Sequence, residues 1–469
     1  MSLKAKGKLN QRVGSSLWSV ASSLASRALT FIFTPIFTRL LSPEEFGIYS
    51  LFVSFMGIFT VLTTFEISGG VLYRGISKFE NESESFLSSA LGAASLLSVG
   101  SLFIYMIFKS SINGITELGT PLTLLLFLQI FLNTAIGIYF AQKRYEGDYK
   151  RVAIINLAIG IISPALALLF IFLGGKGESR IIAPLITHLA IGVPVIFSIV
   201  KRGRRLFSRS AWRFIFSITV PLIPHYLSLS LIAQSDKIIL SKILGEASLG
   251  RYSAAYSVGF MMSLVTNGIL LVLSPWIMKR QKASDTEQIS AVLSTCAGLV
   301  CLGALFFLSV APELFRLIVR ADYYDAITAV YPITLSVVFL FLSSALQSCL
   351  IHYEKPAIIT KNSVFCASVC LALNFLLIER LGYAGGAMST LLSYALLFVL
   401  NSNSLKRLSK NSINVNISFN FWILMAGMTL LIFFLRHSLP ARMILLAAIG
   451  LGIAPRLKKA TRVLFIYSP

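Results

Sequence analysis

A single arginine lies in the middle of the first apolar run of the chain, on a face of hydroxyl side chains. Arg27 is about eleven residues from either end of that run, roughly 16 Å at 1.5 Å per residue. The hydroxyl residues recur on this face at helical spacing: Ser16, Ser19, Ser23, Thr30, Thr34 and Thr38. A cation at a bilayer centre costs at least ~2.5–3.5 kcal/mol, so it normally faces a wet cavity or a partner. We expect Arg27, with Ser23 and Thr30, to contact an anionic group such as a phosphate. A structural arginine satisfied by helix carbonyls or a carboxylate is the alternative.

A second polar stripe lies in the seventh apolar run. It is formed by Tyr226, Ser230, Gln234, Lys237 and Ser241, again at helical spacing. Asp236 points about 100° away from this stripe. We expect Gln234, Asp236 and Lys237 to line the same cavity, with Asp236 pairing with Arg27 or Lys237. An interfacial ion or a local salt bridge is the simpler reading of both charges.

Other polar groups lie at the ends of apolar runs or inside them: Glu66, Tyr73, Arg74, Arg251, His188 and His225. The first three would line an inner mouth, although a solvated helix end has the same composition, and Arg251 would lie at the outer face. The two histidines would serve a proton relay or be hydrogen-bonded structural residues. No HExxH, Walker A loop, GxSxG or Cys/His metal spacing is present, so we expect neither an enzyme active site nor a metal centre.

These side chains need a membrane scaffold to position them. Of the 469 residues, 56% are hydrophobic and only 13% charged, against about 25% charged in soluble domains. A spanning helix takes roughly 20 apolar residues, and none of the apolar runs alternates with period two, so we expect an all-α polytopic membrane protein with about fourteen spans. The predicted spans are 15–38, 46–66, 86–108, 120–142, 152–173, 181–200, 214–241, 250–274, 289–311, 327–350, 362–380, 382–401, 419–436 and 440–455.

The net charge of +22 is distributed unevenly between the loops. Most Lys and Arg residues fall in every second loop counted from the N-terminus, which predicts that both termini are cytoplasmic. The densest basic run, 201–213, would lie on anionic lipid headgroups. Its charges are not interleaved with an aromatic stacking platform, so we expect no nucleic-acid partner.

The two halves of the chain carry matching motifs. Phe46 to Ser50 (FGIYS) matches Leu249 to Ser253 (LGRYS) at an offset of 203, and two weaker matches follow at nearly the same offset. These matches predict two parallel six-helix repeats around a central cavity. The expected organisation is an N-lobe over 1–200, a basic cytoplasmic linker over 201–213, a C-lobe over 214–401, and a helix pair with a cytoplasmic tail over 402–469.

Three stretches resemble a known family: TRLLSPEEFGIYSL (38–51), SDKIILSKILGEASLGRYSAAYSV (235–258) and LNFLLIERLGYAGGAMSTLLSY (373–394). They are similar to the bacterial polysaccharide-transporter family of lipid-linked oligosaccharide flippases, the Wzx-type O-antigen and capsule-unit translocases. This family belongs to the superfamily that also contains lipid II flippases and multidrug and toxin extruders. The resemblance transfers most directly to Asp236 in the SDKIIL motif and more loosely to Arg27.

The resemblance implies movement of undecaprenyl-diphosphate-linked repeat units across the cytoplasmic membrane by alternating access. It implies no bound cofactor, coupling to an H⁺ or Na⁺ gradient, and contacts with membrane lipids and with polysaccharide polymerase and chain-length proteins. A multidrug extruder of the same fold is the runner-up, but it should show an acidic rather than a basic mid-span charge. A membrane polysaccharide polymerase is a third reading, which usually needs a larger extramembrane loop or a carboxylate cluster.

Overall fold

The chain is an all-helical polytopic membrane protein. The computed structural model describes residues 28–29, 31–283, 285–410, 412–413 and 419–447, and every regular element in this part is a helix. Eleven helices of the described part are long and apolar enough to cross a membrane, by length and composition. The total of fourteen spans and the parallel repeats stay predictions, because most of the first predicted span and the end of the last lie outside the described residues.

The chain divides into two compact units, Met1–Gly250 and Arg251–Pro469. The predicted boundary between the lobes lies earlier, at the linker 201–213, and the lobe organisation stays a prediction. The first unit contains these helices: α1 (Phe31–Leu40), α2 (Pro43–Thr64), α3 (Val71–Lys78), α4 (Ser83–Ile107), α5 (Lys109–Thr116), α6 (Gly119–Tyr145), α7 (Tyr149–Phe172), α8 (Ser179–Gly203), α9 (Arg209–Leu244) and the start of α10 (Glu246–Gly259).

The second unit is built around α13. It contains the remainder of α10 and these helices: α11 (Met262–Lys282), α12 (Thr286–Ile318), α13 (Ile327–Ile351), α14 (Pro356–Leu381), α15 (Tyr383–Leu408) and α16 (Phe419–Phe434), followed by a helical segment over 439–447. Helix α13 is mostly buried, and its apolar side chains pack with those of α11 and α12 in one core cluster. The core of this unit therefore surrounds its most buried helix.

A buried polar network crosses three helices of the second unit. The Asn362 amide of α14 donates to Oδ1 of Asn401 of α15 at 3.0 Å, and the Asn401 amide donates to Oγ of Ser343 of α13 at 2.9 Å. Inside a membrane such bonds contribute about 0.6 kcal/mol each on average. The network ties α14 and α15 to the buried helix α13.

The start of α2 is encoded locally. Ser42 accepts a hydrogen bond from the Glu45 backbone N–H, and the Glu45 side chain accepts one from the Ser42 backbone N–H, while Pro43 occupies the first helical position. This capping box satisfies two backbone donors that the first helical turn leaves open. It fixes where the chain turns from α1 into α2.

Three helical features of the described residues are absent from the sequence prediction: one break within a predicted span and two short helices. The single span predicted over 250–274 is wrong, because the chain is broken at Phe260 and Met261 into α10 and α11. Gly259 lies where an added Cβ would be 2.8 Å from the Ile333 side chain, so the break accompanies a close approach to α13. The short helices α3 and α5 were not predicted, because eight residues are too few for a clear periodic signal.

Candidate functional site

Gln234, Asp236 and Lys237 form a charged cluster on one turn of α9. Asp236 is fully buried and Lys237 is 8% exposed. The backbone N–H of Lys237 donates to Oδ1 of Asp236 at 2.8 Å, and the Lys237 ammonium lies 3.9 Å from the same oxygen. The ammonium also donates to Oε1 of Gln234 at 3.2 Å and to the Ala233 carbonyl at 2.8 Å. The structure thus brings together three of the polar residues that the sequence placed on this helix, and their position in a cavity stays a prediction.

The two buried charges of this cluster are paired with each other. Removing one partner of a buried charge pair usually costs about 3–5 kcal/mol, because the other charge is left uncompensated. Helix α2 packs on this part of α9, where a Cβ on Gly57 would lie 3.4 Å from Nε2 of Gln234. The lack of a side chain at Gly57 leaves room for the polar face of α9 against α2.

A second group of charges lies where α2 ends. Phe65 and Glu66 adopt left-handed backbone conformations, with φ of 51° and 53°, and turn the chain into α3. Glu66 is half-buried, and this burial raises the pKa of its carboxyl group above the ordinary value. Glu66 and Arg74 both lie within electrostatic range of the Tyr226 hydroxyl of α9, while Tyr73 is exposed on α3. Two of the three residues predicted at the inner mouth, Glu66 and Arg74, are therefore close enough to influence Tyr226 of α9 electrostatically.

The other predicted residues are placed differently. Arg27, Ser23 and Thr30 lie outside the described residues. His188 donates from Nδ1 to the Pro184 carbonyl one turn earlier, at 2.6 Å, and its role stays a prediction. His225 is buried, and its ring centroid is 5.5 Å from that of Tyr226.

Arg251 joins three elements of the second unit. Its Nε donates to the Asp322 carbonyl at 3.0 Å, and its side chain hydrogen-bonds Tyr383 at the start of α15. Asp322 belongs to the 3₁₀ turn Ala321–Ala326 between α12 and α13. In this structure Arg251 connects α10 to these two elements, and its role at an outer face stays a prediction.

Sequence reasoning missed Arg180 near the start of α8. Its guanidinium carbon lies 3.8 Å from the ring centroid of Tyr49, 4.2 Å from that of Phe37 and 4.7 Å from that of Phe46. The side chain is buried, so these cation–π contacts connect α8 to α1 and α2. The rings are more than 130 residues away in the chain, and no local spacing signals the contact.

The candidate site is thus made of charges and hydrogen-bonding groups. Within the described ranges, no three His, Cys, Asp or Glu side chains come together in a way that could hold a metal ion. All five cysteines are free and buried, as expected for thiols in apolar runs.

Comparison with known proteins places this arrangement in context. The "Probable low-salt glycan biosynthesis flippase Agl15" of Haloferax volcanii is 24% identical over 403 residues, which cover 83% of this chain and 83% of the relative. The inward-facing structure of a multidrug resistance MATE family transporter of the MOP superfamily aligns with a TM-score of 0.66 at 15% identity, over 82% of this chain and 96% of the other. The lipid II flippase MurJ in an inward closed conformation aligns with a TM-score of 0.63 at 16% identity, over 92% of this chain and 99% of MurJ.

The two structural likenesses show that the fold is the one shared by MATE transporters and MurJ. The sequence evidence is more specific. The model of the polysaccharide biosynthesis protein family matches residues 13–281, which is more than half of the chain. This protein, with its cluster of buried charges on α9, therefore belongs to the polysaccharide biosynthesis protein family.

Proposed function

We propose that this protein moves oligosaccharide repeat units linked to undecaprenyl diphosphate from the inner to the outer leaflet of the bacterial cytoplasmic membrane. The units serve the synthesis of a surface polysaccharide such as O-antigen, capsule or exopolysaccharide. Movement is by alternating access, is driven by an ion gradient and involves no chemical step. The family match and the description of its Haloferax relative as a glycan biosynthesis flippase support this proposal.

The observation that carries the proposal is the buried cation of α9. A diphosphate must cross a medium in which a charge at the centre costs at least ~2.5 kcal/mol, and a cation with amide and hydroxyl neighbours replaces part of its hydration. Lys237 is a buried cation inside a helix long enough to span, with the Gln234 amide beside it. We propose that these two residues, together with Arg27, Ser23 and Thr30, contact the diphosphate.

We propose that Asp236 and Glu66 couple transport to the ion gradient. Asp236 lies 3.9 Å from the Lys237 ammonium and competes with an arriving phosphate for that cation. Uptake of H⁺ or Na⁺ at Asp236 would release Lys237 to the substrate, and Glu66 would take part at the inner mouth. Both termini lie in the cytoplasm in this proposal, and polymerase and chain-length proteins receive the exported unit.

Substitution of Lys237 tests the proposal. In cells that depend on this gene, we expect Lys237→Gln to abolish surface polysaccharide and to leave lipid-linked repeat units on the inner leaflet, because the cation is lost. Lys237→Arg should retain part of the export, because the charge remains. Lys242→Gln is the matched control, since Lys242 lies on the same helix but is exposed. The measurements are surface polysaccharide, protein abundance in the membrane, and leaflet-specific labelling of the lipid-linked unit.

The possible outcomes separate the competing functions. Full export by a folded Lys237→Gln variant would remove Lys237 from the mechanism. Single repeat units that accumulate on the outer leaflet after gene deletion would point to a polymerase. Drug sensitivity without any accumulation would point to a multidrug extruder. In liposomes we expect movement without ATP, and a strict ATP requirement would exclude a secondary transporter.

A further inference from the structure

Two neighbouring surface cavities of the first unit are lined by the basic segment between α8 and α9 and by the start of α9. The first has a volume of about 600 Å³ and is lined by Arg202, Arg204 and Arg205 together with Glu82 and Glu84. The second, which we term the α3–α9 cavity, has a volume of about 750 Å³ and is lined by the cations Lys78, Arg209 and Arg213, the rings of Phe79 and Phe214, and Ser217.

The two cavities differ in charge compensation. In the first, Arg202 pairs with Glu84 at 3.8 Å. The α3–α9 cavity is lined by no carboxylate, and among the described residues none lies within 4.0 Å of its three cations. All three cations are exposed. The α3–α9 cavity therefore presents an uncompensated positive surface that a ligand can reach.

Aromatic rings contact one of these cations, Lys78. The Lys78 ammonium lies 4.6 Å from the ring centroid of Phe214. Phe79 meets the edge of Phe214 with ring centroids 5.8 Å apart and stacks on the buried Phe86 at 5.2 Å, so the two rings that line the cavity are packed against the core. The Phe214 ring therefore attracts the Lys78 ammonium through a cation–π contact at the cavity.

The start of α9 is anchored to α4. Nε1 of Trp212 donates to the Ser89 carbonyl of α4 at 2.9 Å, which fixes the first turn of α9. Arg209, Arg213 and Ser217 are spaced four and four, so they share one face of this helix. Two guanidinium groups are thus presented side by side, and their planar geometry suits phosphate oxygens.

The surroundings of the cavity favour a lipid over a soluble anion. Leu206 is 48% exposed and Phe207 is 64% exposed, next to the basic residues of the same segment. The Phe207 ring contacts Trp212 at 4.8 Å, so it is held at the surface. Exposed apolar and aromatic side chains beside Lys and Arg are typical of segments at the membrane interface.

The length of α9 places the cavity at the level of the lipid headgroups. Helix α9 has 36 residues, which at 1.5 Å per residue is about 54 Å, against a hydrocarbon core of about 30 Å. An end of the helix must therefore extend beyond the hydrocarbon. The end that carries Arg209 and Arg213 is the basic one, and it reaches the headgroup region, where lipid phosphates lie.

We infer that the α3–α9 cavity binds the phosphodiester headgroup of an anionic membrane lipid. Arg209 and Arg213 contact the phosphate oxygens, and Lys78 contributes the third positive charge. This site does not depend on the proposed transport function and is separate from the α9 cluster around Lys237.

The test is a lipid titration of the full-length, delipidated protein by native mass spectrometry. The probe is phosphatidylglycerol, with phosphatidylcholine as the neutral comparison. The cavity variant is Lys78→Gln with Arg209→Gln and Arg213→Gln. The matched control is Arg202→Gln with Arg204→Gln and Arg205→Gln, which removes the same charge from the neighbouring cavity. Ser217→Glu is a second variant, which adds an acidic group to the cavity by one substitution.

We expect the Kd for phosphatidylglycerol to rise at least about tenfold in the cavity variant and in Ser217→Glu, and by less than about twofold in the control. If the triple variant does not fold, Ser217→Glu decides the outcome alone. Equal weakening in the cavity variant and the control would reduce the effect to general surface charge and overturn the inference. Equal binding of phosphatidylcholine, or displacement of phosphatidylglycerol by inorganic phosphate at the same concentration, would overturn it as well.

Discussion

Glu66 lies in a backbone turn with positive φ, and its carboxyl group is half-buried. Phe65 and Glu66 both have positive φ, a conformation that costs about 1–3 kcal/mol in residues other than glycine and is often found at functional sites. This turn holds the Glu66 carboxyl half-buried and within electrostatic range of Tyr226. The neutral form of the carboxyl is favoured there, because burial penalises the charge.

The raised pKa of Glu66 predicts a specific dependence of stability on pH. Because the folded protein holds this proton more tightly than the unfolded chain, the stabilising effect is fully present below the unfolded pKa and is lost as pH rises through the folded pKa. We therefore expect Glu66→Gln to raise the thermal unfolding temperature relative to the unmodified protein at neutral pH, and to match it in acid. The measurement is the unfolding temperature of both proteins across the acidic to neutral range.

Glu82→Gln is the control for this pH series, since Glu82 lies in the short 3₁₀ turn Glu80–Glu82 and is exposed. We expect its stability curve to follow that of the unmodified protein. Parallel curves for Glu66→Gln and Glu82→Gln would show that the burial of Glu66 has no effect on the pH dependence.

At the scale of helices, the duplicated motif also makes a contact. A Cβ added to Gly47 of α2 would collide with the Glu246 carbonyl of α10, and a Cβ added to Gly250 of α10 would collide with the Pro43 carbonyl of α2. These residues are related by the sequence offset of 203, so the two copies of the motif pack against each other reciprocally. Small residues at such a crossing let two helix backbones approach closely, as is common inside membranes.

This reciprocal contact predicts that one methyl group is poorly tolerated. We expect Gly47→Ala to destabilise the protein by about 1–3 kcal/mol, because the backbone of α10 must shift to make room. Gly100→Ala in α4 is the matched control, since no atom lies within 4 Å of its added Cβ, and alanine favours a helix over glycine by ~1 kcal/mol. Thermal unfolding of the two purified variants measures the difference. Equal unfolding temperatures of Gly47→Ala and Gly100→Ala would mean that α2 and α10 accommodate the added methyl group without loss of stability.

The sequence made some of these elements predictable and left others hidden. The span predicted over 46–66 corresponds to α2, which begins three residues earlier because Ser42, Pro43 and Glu45 form a capping signal that hydropathy alone does not detect. The charges of the α9 cluster could be predicted because a charge in an apolar run is conspicuous. The Phe260 break could not, because apolar residues flank it on both sides. The rings around Arg180 and the α3–α9 cavity depend on residues far apart in the chain, which a single sequence does not pair.

For the whole molecule, the loop charges predict a definite topology that helix α8 makes testable. Lys176 precedes α8, Arg204 follows it, and both are exposed. Twenty-five residues span about 37 Å, which is enough to cross the hydrocarbon core, so the two positions must lie on opposite sides of the membrane if α8 spans it. The charge bias then assigns Lys176 to the outside and Arg204 to the cytoplasm.

Cysteine labelling of intact cells tests this topology. With the five buried native cysteines replaced by serine, we expect Lys176→Cys to react with a membrane-impermeant maleimide in intact cells, and Arg204→Cys to react only after permeabilisation. Labelling of Arg204→Cys alone in intact cells would invert the topology and place the α3–α9 cavity on the outer leaflet. Labelling of both would mean that α8 does not span. A reporter fused to the C-terminus measures on which side of the membrane the chain ends. If the reporter and Arg204→Cys lie on the same side, the number of spans after α8 is even, as the predicted total of fourteen requires.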